Sequence, residues 1–141
     1  MLKTILAAFD GSDQSRKAFE FAVEVATKFG AKMVVVGVIQ LPEPAVSIEI
    51  DAMLDRGKTH FAEEFAALAK KLEPLGIAVE WRTAVGHPAE QIVREAEDCH
   101  ADLIVMGRRG LTRATRWILG SVSERVLRYA HCPVTVVTVV K

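Results

Sequence analysis

The sequence predicts an α/β domain built on a parallel sheet, and two observations carry that prediction. Short runs rich in β-branched residues alternate with longer segments whose apolar positions recur every three or four residues. Glycine and proline clusters punctuate the alternation, at Asp10-Gly11-Ser12, Pro42-Glu43-Pro44, Pro74-Leu75-Gly76 and Gly86-His87-Pro88. Strands that alternate with helices need right-handed crossover connections, and hence parallel pairing. At 141 residues the chain fits one domain over 1–141, and folding at this size buries about 70% of the extended surface, enough for a core without staples.

Each element has a local reason. Leu2 to Phe9 is an apolar run that ends at Asp10-Gly11-Ser12, a first strand buried on both faces. Ser12 or Asp13 can cap a helix over 14–29, whose Ala18, Ala22, Val25 and Phe29 form one stripe and whose C′ residue is Gly30. Met33 to Ile39 is a second strand, ended by two prolines that cannot continue a ladder, and a loop follows. From about Asp51 to Leu72 the residues Leu54, Phe61, Phe65, Leu68 and Leu72 make an amphipathic helix that lies on the sheet.

Ile77 to Val85 alternates as a more exposed edge strand. Pro88 begins the next helix, with Ala89, Ile92, Val93 and Ala96 inward, and that helix ends near His100. Asp102 to Met106 is strand four. A helix to about Ala130 and a fifth strand from Val134 to Val140, entered through Pro133, complete the chain.

Composition narrows the function. Eighteen basic and eighteen acidic side chains cancel, so no global field recruits nucleic acid or a membrane surface. No apolar run reaches the roughly 18 residues of a membrane span, and the start of the chain is too short and too soon acidic for a secretory leader. The chain therefore reads as cytoplasmic. Cys99 and Cys132 have no metal-ligand spacing and suit free, structural thiols in a reducing compartment. Arg108, Arg109, Arg113 and Arg116 form the one basic focus, read either as a solvated face or as a clamp in which Arg108 and Arg109 grip phosphate bidentately.

The stretch Gly107-Arg-Arg-Gly-Leu-Thr-Arg-Ala-Thr-Arg-Trp-Ile-Leu-Gly-Ser121 carries the chemistry. It follows a buried strand and precedes a helix. Gly107 and Gly110 lack a Cβ, so their N–H groups can approach an anion and can take positive φ without strain. Ser121 with Glu124 reads as a capping box, which leaves N–H donors and the positive dipole end at the helix start, a seat for phosphate. A turn followed by a cap would use the same residues.

Two residues separate Gly107 from Gly110, and nine separate Gly110 from Gly120-Ser121. That spacing resembles the nucleotide-binding signature of the universal stress protein family. The resemblance extends to Ile5-Leu6-Ala7-Ala8-Phe9-Asp10-Gly11-Ser12, Met33 to Ile39, Ala101 to Gly107 and His131-Cys132-Pro133-Val134. It implies membership of the ATP-binding branch and a doubly wound sheet of order 3-2-1-4-5 with helices on both faces, like that of adenine nucleotide alpha hydrolases. In that order Asp10 and Gly107 meet at the switch point where such sheets bind ligands.

The resemblance further implies roles. Main-chain N–H groups of Gly107, Gly110, Gly120, Ser121 and Val122 would hold the phosphates of ATP, helped by the Ser121 hydroxyl; Arg109, in the variable pair that the family pattern does not require, would add a guanidinium clamp. Met106 and Ser123 would complete that set. Asp10 would contact the ribose or a Mg or Mn ion on the phosphates, Ala8 and Phe9 would flank the base, and the Val38 backbone would read the adenine edge. Relatives dimerise through their last strand, and Val134 to Val140 is an uncharged β-branched segment that an edge position would leave in need of cover. A homodimer is expected on both grounds.

Competing chemistries fail on their motifs. There is no G-x-x-x-x-G-K-[ST], and no G-x-G-x-x-G follows the first strand. His60, His87, His100 and His131 fall on separate elements without metal spacing. Ser12, His87 and Asp10 lack the strained G-x-S-x-G elbow of a hydrolase. The expected function is a nucleotide-responsive regulator or partner-binding module acting on an unknown protein. A slow ATP hydrolase or phosphotransferase, and a nucleotide-free scaffold dimer, are the alternatives.

Overall fold

A computed structural model describes residues 1–42, 47–108 and 119–139, with the side chains of residues 47 and 48 excepted. Its elements are β1 (Thr4–Ala8), α1 (Asp13–Phe29), β2 (Lys32–Ile39), α2 (Ser47–Leu72), β3 (Val79–Val85), α3 (Pro88–Asp98), β4 (Leu103–Gly107), α4 (Ser121–Tyr129) and β5 (Val134–Val137). All strand pairs are parallel, in the order β3-β2-β1-β4-β5. The expected doubly wound sheet is therefore present, with β3 at one edge and β5 at the other.

The period of two along a strand sorts side chains between two cores. Ile5, Ala7 and Phe9 face α1 and α2, together with Met33, Val35 and Ile39 of β2 and Val105 of β4. Leu6, Val34, Val36, Ile104 and Met106 face the other way, against Ala89, Ile92 and Ala96 of α3 and Val126 of α4. On the first face Phe9, Phe19, Phe61, Phe65 and Trp81 form an aromatic chain, with neighbouring ring centroids 5.1 to 6.4 Å apart.

Two glycines set how α2 lies on the sheet. Gly37 leaves its face of β2 bare, and the Phe61 ring occupies the space that a Cβ would take. Gly57 does the same on α2, where the Ile39 side chain fills the gap. The two surfaces interlock, which places α2 close enough for Glu64 to receive Arg16 of α1 at 3.0 Å.

Helix ends follow local chemistry. Ser12 caps α1 by accepting from the Ser15 N–H at 3.2 Å, and Gly30 closes it in the left-handed region at φ 65°. His100 takes the same left-handed position after α3, at φ 53°. There the Ala101 N–H reaches Ala96 C=O and the His100 N–H reaches Glu97 C=O, the paired bonds of a Schellman turn. At the start of β4, Asp102 accepts from the N–H groups of Lys3 at 2.9 Å and Thr4 at 3.0 Å. Those two donors hold its carboxyl below the usual carboxylate range and pin β4 to β1.

β1, β3 and β4 are shortened or shifted by one or two residues against the sequence reading, and three further boundaries differ. α2 begins at Ser47, earlier than the apolar stripe indicates, because its first turn lies before Leu54. β5 pairs only as far as Val137, since β4 ends at Gly107 and offers Thr138 and Val139 nothing to pair with. α4 begins at Ser121 with Gly120 as its N-cap, one residue before the expected cap, so Ser121 and Glu124 do not form a capping box. Among the described residues no helix is long and apolar enough to cross a membrane.

The Gly37 contact is testable. Gly37→Val should lower the unfolding free energy by about 1 to 3 kcal/mol in a urea titration, the usual penalty of overpacking. An unchanged midpoint would mean that Phe61 moves aside at no cost.

Candidate functional site

A crevice of about 390 Å³ opens at the carboxyl end of the sheet, within the size range of small-molecule sites. Its position follows from strand lengths. β1 pairs with β2 only as far as Ala8 with Val36, and with β4 only as far as Ala7 with Val105. β2 continues to Ile39 and β4 to Gly107. The two flanking strands thus overshoot the central one, and the chain leaves β1 toward α1 on one face and β4 toward α4 on the other.

One wall is apolar. Val36, Val38, Ile92, Pro88, Ala8, Met106 and Val122 line it, all but Pro88 belonging to the α3 and α4 core or packed against it. In a parallel strand the N–H and C=O of one residue face the same neighbour. Val36 C=O accepts from the Phe9 N–H at 2.9 Å, so Val36 faces β1, and Val38, two residues on, faces the same side beyond the end of β1. A main-chain donor and acceptor therefore look into the crevice at Val38. Ala8 lies on this wall, whereas the Phe9 ring is 2% exposed and committed to Phe19 and Phe65 on the opposite face.

The other wall is polar and built from helix beginnings. Asp10, Ser12, Ser15, Gly107, Arg108, Gly120, Ser121 and Ser123 line it, and α1, α3 and α4 all start at this edge, so three positive dipole ends converge. Among the described residues, neither N-cap, His87 of α3 nor Gly120 of α4, makes a side-chain capping bond. The first bond within α4 runs from the Glu124 N–H to Gly120 C=O at 2.9 Å, so the N–H groups of Ser121, Val122 and Ser123 have no partner inside the helix. Exposed Asp10 is the one carboxylate among the described lining residues. Its Oδ1 accepts from the Ser12 N–H at 2.8 Å, which fixes the turn.

Several expected residues do different work from that anticipated. Gly107 is not at positive φ. Its missing Cβ is required by α1, because a Cβ there would stand 2.9 Å from Gln14 Cβ and 3.0 Å from the Gln14 carbonyl carbon. The Gly120 N–H donates to Arg108 C=O at 3.2 Å, which ties the N-cap of α4 to the residue after β4. The buried Ser123 hydroxyl shares its one hydrogen between the carbonyls of Arg108 at 2.8 Å and Gly107 at 3.0 Å, tying the end of β4 to the first turn of α4. Arg109 and Gly110, with Arg113 and Arg116, lie outside the described residues.

Sequence reasoning passed over Ser15, Val36, Gln40, Pro88 and Ile92 as lining residues. The alternation of Val36, Val38 and Gln40 was a usable signal for Val36 and Gln40. Arg82 of β3 steadies α3 from below, at 2.7 Å from Glu95 and 3.0 Å from Asp98, and Glu95 foremost raises its pKa. Cys99 and Cys132 are half-buried beside the α3 and α4 core, and burial pushes both thiols up.

Comparison with known proteins gives a consistent relationship. Residues 1–138 match the model of the universal stress protein family. A universal stress protein of Methanocaldococcus jannaschii is 36% identical over 141 residues, covering 97% of this chain and 82% of the relative. Among solved structures, a universal stress protein from Lactobacillus plantarum superposes with a TM-score of 0.83 at 23% identity, covering 96% of this chain and 97% of that one, a likeness of fold. A universal stress protein in complex with cAMP superposes with a TM-score of 0.65 at 28% identity, covering 96% of each chain.

The Ser123 tie gives the site its own test. Ser123→Ala leaves two carbonyls without their hydroxyl donor and should cost about 1 to 3 kcal/mol, with faster amide exchange in the first turn of α4. Unchanged exchange there would rule out the tie.

Proposed function

The chain belongs to the universal stress protein family, and from that premise we propose that its crevice binds ATP and that the protein acts as a nucleotide-responsive regulator or partner-binding module. The observation that carries this reading is the pairing of one apolar wall, with the Val38 backbone at its edge, against one wall of helix beginnings. A purine needs the first and a phosphate chain needs the second. The relative solved with cAMP supports an adenine nucleotide as the ligand class.

The residues divide the work. Val38 would offer its N–H and C=O to the adenine edge, with Ala8, Met106 and Val122 packing on the base and the Phe9 main chain beside it. Asp10 would accept from a ribose hydroxyl or bind a Mg or Mn ion carried by the phosphates. Among the described residues no group of three His, Cys, Asp or Glu side chains could hold a metal, and one carboxylate plus phosphate oxygens is an ordinary setting for Mg²⁺. The N–H groups of Ser121, Val122 and Ser123 would meet the phosphates, with Gly107, Gly120 and Ser123 shaping the approach and Arg109 and Gly110 completing it.

The test is calorimetric titration of the full chain with ATP and Mg²⁺, with parallel analysis of nucleotide released by heat denaturation. We expect binding with one site per chain, weakened about tenfold by Asp10→Ala, the loss of one charge-assisted hydrogen bond. No heat and an empty supernatant would sink the reading, and Asp10-dependent phosphate release above background would turn it toward the hydrolase.

We also propose that two copies pair through the open edge of β5, as a homodimer working in the cytoplasm. Val134 to Val137 are partly exposed there and carry no charge, and such an edge calls for a covering strand. Val137→Lys should convert the dimer to a monomer in sedimentation. A variant that stayed dimeric would exclude this interface.

A further inference from the structure

Gln40 stands apart on the apolar wall. Val36, Val38, Pro88 and Ile92 line the β2 and α3 side of the crevice, and Gln40 is the only polar side chain among the described residues there. It follows Val36 and Val38 at the same spacing of two, so it lies on the side of the strand that serves the crevice. It is exposed and sits just past Ile39, whose C=O accepts from the Gly86 N–H at 3.0 Å. That bond to the β3 end holds the backbone from which the Gln40 side chain departs.

We infer that Gln40 is a specificity-determining residue for the base: its carboxamide accepts from the adenine N6 amino group and donates to N7, while the Val38 backbone reads the N1 and N6 edge. This inference rests on the nucleotide reading above. The chemistry is that of an amide on the outer edge of adenine, where one acceptor and one donor match N6 and N7 bidentately. Guanine presents two acceptors on that edge and leaves the amide oxygen without a donor. Val38 and Gln40 would thus take the two hydrogens of one amino group from successive outward positions of a single strand.

The experiment is calorimetric titration of the full chain and of Gln40→Met with ATP and with 7-deaza-ATP, which lacks the N7 acceptor and keeps the ribose and triphosphate. Wild type should bind ATP about tenfold more tightly than 7-deaza-ATP, the size of a bidentate base contact, and the ratio should fall to near one in Gln40→Met. Gln40→Glu, which can accept from N6 but has no N–H for N7, should also lose the ratio. A wild-type ratio near one, or a ratio unchanged by either substitution, overturns the role of Gln40 alone. Failure of wild type to bind either triphosphate overturns the nucleotide reading and the inference with it.

Discussion

The central strand β1 is the constraint on which the rest depends. Ile5, Leu6 and Ala7 are fully buried, and each of β1's edges is hydrogen-bonded to a neighbour. A strand enclosed on two faces and two edges has to be apolar and short, because every polar group in it must find a partner inside the sheet. β1 stops at Ala8 while its neighbours run on. The crevice is the space left by that difference in length.

What fills the rim of the crevice follows from crossover geometry. In a parallel sheet every helix that follows a strand starts at the carboxyl edge, so donors and positive dipole ends collect where the strands end. Holding them open has a structural cost that the protein meets with side chains turned inward. Ser12 caps α1, Ser123 bridges Gly107 and Arg108, and the Gly120 N–H closes on Arg108. These bonds hold the first turn of α4 at the crevice, where Ser121 and Val122 line it.

The two walls differ in character because the two cores do. On the α1 and α2 face large aromatic rings fill the volume, and glycines 37 and 57 exist to admit Phe61 and Ile39. On the α3 and α4 face the residues are smaller and the helices shorter, which leaves room at the sheet's end for a flat ligand. Arg82, bound to Glu80, Glu95 and Asp98, keeps α3 and its Pro88 at the mouth. Stability on one side and vacancy on the other are thereby separated by a single layer of strands.

By itself the sequence determined the element order, the parallel class and the residues nearest the switch point, because periodicity and breakers act over a few neighbours and Asp10-Gly11-Ser12, Gly30 and Gly86-His87-Pro88 are local statements. Strand order came from family resemblance, since nothing within one strand says which partner lies beside it. Tertiary structure alone decided how several of these residues are engaged: that Gly107 is bare for Gln14, that the Ser123 hydroxyl and the Gly120 N–H bond to the end of β4 and to Arg108, and that the Phe9 ring turns away. Those roles depend on which atoms from distant segments arrive within 3 Å or so of each other, and that distance is set by how far β1 runs before its neighbours do, a quantity no single segment encodes.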